Sequence, residues 1–145
     1  MKCTVIIDTE RDEEIIIYTK KKTHVTEEIE RIAASESSEL FGYLGSECAR
    51  LDISKINLFT IIAGKLYAID DDGKEYLMRE RLYTVEKMLD SSFVKINQST
   101  LASIRKIACF GTSVGGSLYV NFKNGYRDYV SRRQISAVKR ALKVK

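Results

Sequence analysis

Short runs of apolar, often β-branched residues alternate with turn residues over most of the chain, and this pattern predicts a mainly β protein with short helices. Several turns contain glycine, which suits antiparallel hairpins. The strands predicted for the central and C-terminal parts are Arg50 to Ile53, Ile56 to Ile62, Lys65 to Ile69, Lys74 to Met78, Ser91 to Ile96, Ile104 to Ser113, Ser117 to Phe122 and Tyr126 to Val130.

Apolar residues at helical spacing predict two helices among these strands, Glu80 to Leu89 and Arg132 to Leu142, the second capped by Ser131. Before the strands, Lys2 to Ile7 and Glu14 to Thr19 predict a hairpin, and a helix starting near Thr26 follows it. We therefore expect an α+β chain in two parts. Residues 1–45 form a small β-β-α unit suited to dimerisation or partner docking, and residues 46–145 form the main domain.

Charge is distributed unevenly along the chain. The net charge is +4, but Ser91 to Lys145 holds six lysines and five arginines against the single acid Asp128, a net +10 that leaves −6 for Met1 to Asp90. A basic segment of this kind is typical of a surface that meets nucleic-acid phosphate. A solubilising face explains the charge equally well.

Residues able to support catalysis or hold a metal are few and scattered. His24 is the single histidine, and Cys3, Cys48 and Cys109 lie too far apart in sequence to begin a zinc or redox motif. No apolar stretch approaches the ~20 residues of a membrane helix. The sequence predicts a cytoplasmic protein with reduced thiols that is not an enzyme and has no cofactor, metal or small-molecule substrate.

Two polar segments are candidates for binding. Ser131-Arg132-Arg133 places two cations at a predicted helix start, where they oppose the helix dipole unless an anion such as phosphate binds there. Asn97-Gln98-Ser99-Thr100 lies between apolar runs, and Asn and Gln can bond adenine in bidentate fashion. Taken alone, a solvent-exposed arginine pair and an ordinary turn are alternative interpretations.

Taken together, Phe93 to Ile107, Leu118 to Gly125 and Val130 to Arg133 resemble the LytTR family of DNA-binding domains over about Leu51 to Leu142. The matching features are a phenylalanine-led strand, a polar loop with serine, a Lys-Asn-Gly turn and a Ser-Arg-Arg segment. The N-terminal lead is similar to that of stand-alone members, which lack a receiver domain.

The resemblance implies an elongated fold of small antiparallel sheets that inserts loops into successive major grooves of promoter DNA. It implies base contact by Arg133, base or phosphate contact by Asn97 and Gln98, and backbone contact by Lys65, Ser99 and Arg132. It also implies a homodimer on direct repeats and a regulatory membrane protein as a further partner. The full set of implied DNA-binding residues is Gly64, Lys65, Asn97, Gln98, Ser99, Thr100, Ser131, Arg132 and Arg133.

The sequence departs from the family pattern at three positions. Asn97 stands where the family commonly has histidine or serine, Ser103 stands where it has asparagine, and Thr60 lies where a glutamate is usual. The alternative function is a basic module for single-stranded RNA or an acidic protein. Against RNA, Tyr119 and Phe122 differ in strand parity and would not form one stacking platform.

Overall fold

The computed structural model describes residues 2–12, 14–37 and 39–143. It confirms a mainly β chain with short helices and antiparallel sheets. Seven strands form the larger sheet in the order β2-β1-β5-β4-β3-β7-β6. Their bounds are β1 Phe41–Leu44, β2 Glu47–Arg50, β3 Ile56–Ile62, β4 Lys65–Asp70, β5 Glu75–Leu77, β6 Phe93–Asn97 and β7 Thr100–Ser103.

A smaller sheet of three strands has the order β10-β9-β8, with β8 at Ile107–Thr112, β9 at Leu118–Phe122 and β10 at Arg127–Val130. The helices are α1 His24–Ser37, α2 Leu82–Met88 and α3 Ile135–Ala141. Thr23 and Thr26 exchange hydrogen bonds at the start of α1, where the Thr23 amide donates to Thr26 Oγ1 over 2.9 Å. This exchange satisfies backbone groups that a helix start leaves free.

The core is built on both faces of β3. Phe59 packs with Val85 of α2 and Phe93 on one face, and Leu58 packs with Val120 of the smaller sheet and other residues on the opposite face. Leu58, Phe59 and Val85 are fully buried. Because successive side chains of a strand point to opposite faces, β3 holds two hydrophobic clusters together and fixes the position of the strands paired with it.

The predicted N-terminal hairpin is wrong in this structure. Neither Lys2 to Ile7 nor the described residues of Glu14 to Thr19 form a strand, although the predicted helix is present as α1. Gly42 lies buried in β1, a strand that the sequence analysis missed. A Cβ at this position would lie 2.5 Å from Tyr76 Cβ, so glycine permits β1 to approach β5.

Other predicted elements also differ from the structure. Of the predicted strand Arg50 to Ile53, only Arg50 lies in a strand, at the end of β2, and Ile53 begins a 3₁₀ turn. Residues 104–106 form a 3₁₀ turn between β7 and β8, so the predicted strand Ile104 to Ser113 begins later, at Ile107. Residues 132–134 also form a 3₁₀ turn, and α3 begins at Ile135. Ser131 makes no side-chain capping bond, so its predicted capping role is wrong. The two arginines precede the helix, and the helix-dipole argument does not apply to them.

Candidate nucleic-acid interface

The turn between β3 and β4 consists of Ala63 and Gly64, both with positive φ of 51° and 78°. Two consecutive residues with positive φ are typical of the tight type I′ hairpin turn, whose twist matches that of the flanking strands. Lys65 follows the turn and is exposed, as is Gly64. The hairpin therefore presents backbone and one cation at its tip.

The turn between β6 and β7 is shorter than the predicted polar loop. It consists of Gln98 and Ser99, since Asn97 ends β6 and Thr100 begins β7. The Ser99 amide donates to Asn97 Oδ1 over 2.8 Å, which closes the turn. Gln98 is exposed and Ser99 is half-buried, so these two residues form the accessible part of the segment.

The third turn follows β10. The Ser131 amide donates to Ile96 O over 2.9 Å, which holds this turn against the end of β6. Arg132 and Arg133 are both exposed, and among the described residues neither forms an ion pair. Their guanidinium groups are therefore available to an external anion.

Hydrogen bonds join the β6–β7 turn and the end of β6 to the strands that precede the other two turns. The Ile61 amide at the end of β3 donates to Ser99 O over 2.9 Å. On the other side, Asn97 Nδ2 donates to Tyr129 O over 2.9 Å, just before the third turn. The three turns lie far apart in the sequence, but they thus form one connected surface.

A polar hub supports this surface and consists of the buried residues Thr60, Asn97 and Thr100 and the half-buried Asp128. Thr100 Oγ1 donates to Asp128 Oδ2 over 2.6 Å and lies 2.7 Å from Thr60 Oγ1. An ionised carboxylate only accepts hydrogen bonds, so the Thr100 proton points to Asp128 and the Thr60 hydroxyl donates to Thr100. The hub connects β3, β7 and β10 directly beneath the three turns.

Two of the predicted contact residues belong to this hub. Asn97 is 1% exposed and Thr100 is 0% exposed, and their side chains bond within the protein. In this conformation DNA cannot approach either side chain. The turn has only two residues, so Asn97 and Thr100 belong to the strands and lie within the sheet. The other seven predicted residues are exposed or half-buried on the three turns.

A surface concavity beside the first two turns adds cations that the sequence analysis did not select. Four cations and one acid line it together with Gln98. Arg79 and Arg81 come from the link between β5 and α2, and Lys95 comes from β6. The sequence alone did not indicate that Arg79-Glu80-Arg81 belongs to a binding site. These residues come close to the first turn only because β5 pairs with β4. The lining cations are Lys65, Arg79, Arg81 and Lys95.

Within residues 2–12, 14–37 and 39–143, no group of three or more His, Cys, Asp or Glu side chains is placed to hold a metal ion. In the same part of the chain, no helix has the length and apolar character needed to cross a membrane. The chemistry that the site presents is therefore that of cations, amides and hydroxyls.

A comparison with protein families decides the assignment, because the model of the LytTr DNA-binding domain matches residues 46–143. The chain belongs to the LytTr DNA-binding domain family. The match includes all ten strands except β1, together with α2, α3 and the three turns. The family expected from the sequence motifs is confirmed.

The chain is also similar to proteins named as transcriptional regulators. An uncharacterised HTH-type transcriptional regulator of Staphylococcus aureus strain MSSA476 is 26% identical over 99% of this chain and 99% of its own. A regulator of the same description from strain NCTC 8325 is 27% identical over 75% of this chain and 74% of its own.

A solved LytTr DNA-binding domain from Bacillus cereus has the same fold, with a TM-score of 0.65 at 18% identity over 72% of this chain and 96% of that domain. The helix-turn-helix in the relatives' name does not describe the family domain of this chain. In residues 46–143, α2 and α3 are separated by five strands.

Proposed function

We propose that this protein binds double-stranded promoter DNA in a sequence-specific manner and regulates transcription, without a catalytic step. The observation that carries the proposal is the connected surface of three turns, held by hydrogen bonds and carrying exposed cations that form no ion pair among the described residues. Membership of a DNA-binding domain family and relatives named as transcriptional regulators support it.

Within this surface, we assign base contact to Arg133 and Gln98 because both are exposed and can bond a base edge in bidentate fashion. Lys65, Ser99, Ser131 and Arg132, with the Gly64 backbone, contact phosphate and set the register on the duplex. Asn97 and Thr100 hold the turns in place from below. Arg79, Arg81 and Lys95 extend the cationic surface along the adjacent part of the DNA backbone.

The partners expected from the family resemblance complete the proposal. Two copies bind paired direct repeats in the cytoplasm, and a regulatory membrane protein controls them. The pairing on DNA is tested by the spacing of protected half-sites in a footprint of the promoter.

The test is a titration of the purified protein with a duplex from its own upstream region and with a scrambled duplex, each at several salt concentrations. Preference for the upstream duplex supports the proposal. Absence of binding to any duplex at low salt overturns it and directs the search to RNA or an acidic protein.

Arg133→Ala sharpens this test. It should cost about 1 to 3 kcal/mol on the upstream duplex and much less on the scrambled one, if Arg133 bonds a guanine edge. Arg105→Ala is the matched control, because Arg105 is exposed at the opposite end of β7 from the Gln98-Ser99 turn. Equal losses on both duplexes would remove Arg133 from the base-reading set.

A further inference from the structure

The N-terminal segments 2–7 and 14–19 expose an unusual number of large apolar side chains. Tyr18 is 94% exposed and Ile7 is 90% exposed, and neighbouring residues are similar. The six most exposed large apolar residues of these segments are Val5, Ile6, Ile7, Ile15, Ile16 and Tyr18. A soluble protein rarely leaves so large an apolar patch exposed unless the patch meets a partner.

The sequence of these segments requires cover on two faces. In a strand, Val5 and Ile7 point to one face and Ile6 to the other, and Ile15 and Ile16 likewise diverge. Continuous apolar runs of this kind are typical of strands buried on both faces. Helix α1 offers this chain one covering layer, with Ala33 lining the same open cleft as both segments. The second face has no layer within the described residues.

Charge indicates what the second layer is. The residues between the segments are mostly acidic, with Asp8, Glu10 and Asp12, and Glu14 begins the second segment, while Lys20, Lys21 and Lys22 follow that segment directly. Some of these charges already pair within the chain, as in the contacts of Arg11 with Asp8 and of Lys22 with Glu30. In an antiparallel arrangement of two identical chains, the acidic link of one copy lies beside the lysine run of the other.

The exposed area also suits a second copy. Each of the six residues is at least 62% exposed, so most of their apolar surface is open to a second copy.

We propose that residues 2–7 and 14–19 become strands when the face that α1 leaves open packs against the same segments of a second copy, and that this contact forms the dimer in the absence of DNA. Each α1 helix then covers the outer side of its own copy's strands, so that the two apolar layers are enclosed between the helices. The inference adds an interface to the proposed regulator and is independent of DNA binding.

The experiment measures the molar mass of the full chain by light scattering during size-exclusion chromatography, without DNA. The wild type should have the mass of two 16.5 kDa chains. Ile6→Lys with Ile16→Lys should give a single chain at the same concentration. Val114→Lys is the matched control, because Val114 is a fully exposed apolar residue in the β8–β9 link, and it should remain a dimer.

Hydrogen exchange on the wild type avoids any folding defect of the variant. Amides of residues 2–7 and 14–19 should exchange slowly at high protein concentration and faster on dilution. A wild type with the mass of one chain and unprotected amides in both segments overturns the proposal and assigns them to a different partner. A dimer that the double substitution leaves intact also overturns it. Either result leaves the DNA titration, and hence the proposed function, unaffected.

Discussion

Each end of the β3–β4 hairpin contacts the rest of the domain. The contacts at the two ends differ in how deeply they are buried and in whether they leave cationic side chains exposed. At the Ala63-Gly64 end, the polar hub connects β3 to β7 and β10 through hydroxyl and carboxylate groups, and Thr100 within it is 0% exposed. The surface cations at this end are not needed to hold it together, so they remain free for a ligand.

At the opposite end, the Asp70 to Gly73 turn is held by a partly exposed ion pair. Lys106 Nζ lies 2.9 Å from Asp71 Oδ1, and the two side chains are 22% and 41% exposed. Asn57 Nδ2 donates to the same carboxylate over 2.6 Å, and Asn124 Nδ2 donates to Asp70 O over 2.9 Å. At this end the cation of Lys106 stabilises the fold, and the acidic residues around it would repel a DNA phosphate. The comparison supports the proposal that DNA binds at the hub end.

The largest effect is expected from breaking the hub. Thr100→Val keeps the shape of the side chain but leaves Asp128 and the Thr60 hydroxyl without their shared partner. We expect the free energy of unfolding to fall by about 1 to 3 kcal/mol, the cost of leaving buried polar groups unsatisfied. Urea denaturation measures the change, and binding to the upstream duplex should weaken although Thr100 does not touch DNA.

Thr112→Val is the matched control for this substitution, since Thr112 is exposed at the end of β8. Its unfolding free energy should change by less than about 0.5 kcal/mol, as for most surface positions. Equal stability of the two variants would mean that the hub does not support the turns.

Much of the main domain could be predicted because its elements have strong local signals. The strands around Phe59 and Tyr119 follow from β-branched and aromatic runs, and the Asn124-Gly125 turn follows from its residues. The family was recognisable because its motif joins such elements in a fixed order. The three turns were selected as DNA-binding segments because of that motif, and not because of the spacing of apolar residues.

What could not be predicted depends on partners distant in sequence. Thr100 and Asn97 have the composition of a polar loop, and only the pairing of β7 with β3 and the bond to Tyr129 O bury them. The strand that contains Gly42 was missed because the residue that it contacts closely, Tyr76, lies 34 positions away. The N-terminal runs carry strand residues, yet the pairing that strands require is not supplied within residues 2–12 and 14–37.

A smaller effect should distinguish the two ends of the hairpin by their role in binding. Lys65→Ala removes a cation beside the Ala63-Gly64 turn, whereas Lys74→Ala removes one at the opposite end, just before β5. If Lys65 contacts a phosphate, its loss should weaken binding to both upstream and scrambled duplexes by about 1 kcal/mol and lower the slope of log affinity against log salt by about one unit.

Lys74→Ala should leave both the affinity and the salt slope close to those of the wild type. The measurement is fluorescence anisotropy with labelled duplexes over a salt series. If the two variants change the slope equally, the cations act only through net charge, and the assignment of DNA to one end of the hairpin fails.

The smallest effect concerns the ion pair at the far end and appears as a dependence of stability on pH. The hydrogen bond from Lys106 holds the pKa of Asp71 below its ordinary value, with Asn57 adding to the shift. A carboxylate with a lowered pKa in the folded protein contributes stability above its unfolded pKa of about 4 and loses it as pH falls through the folded value. Because both side chains are partly solvated, the contribution should stay below about 1 kcal/mol.

Asp71→Asn should therefore reduce the free energy of unfolding at neutral pH, and the pH-dependent part of the difference should disappear in acid. Asp72→Asn provides the control, because the neighbouring Asp72 side chain is exposed and should show no such change. Denaturant titrations from neutral pH to pH 2 measure both, and a difference that stays constant over that range would mean that the Asp71–Lys106 pair does not fasten this end of the hairpin.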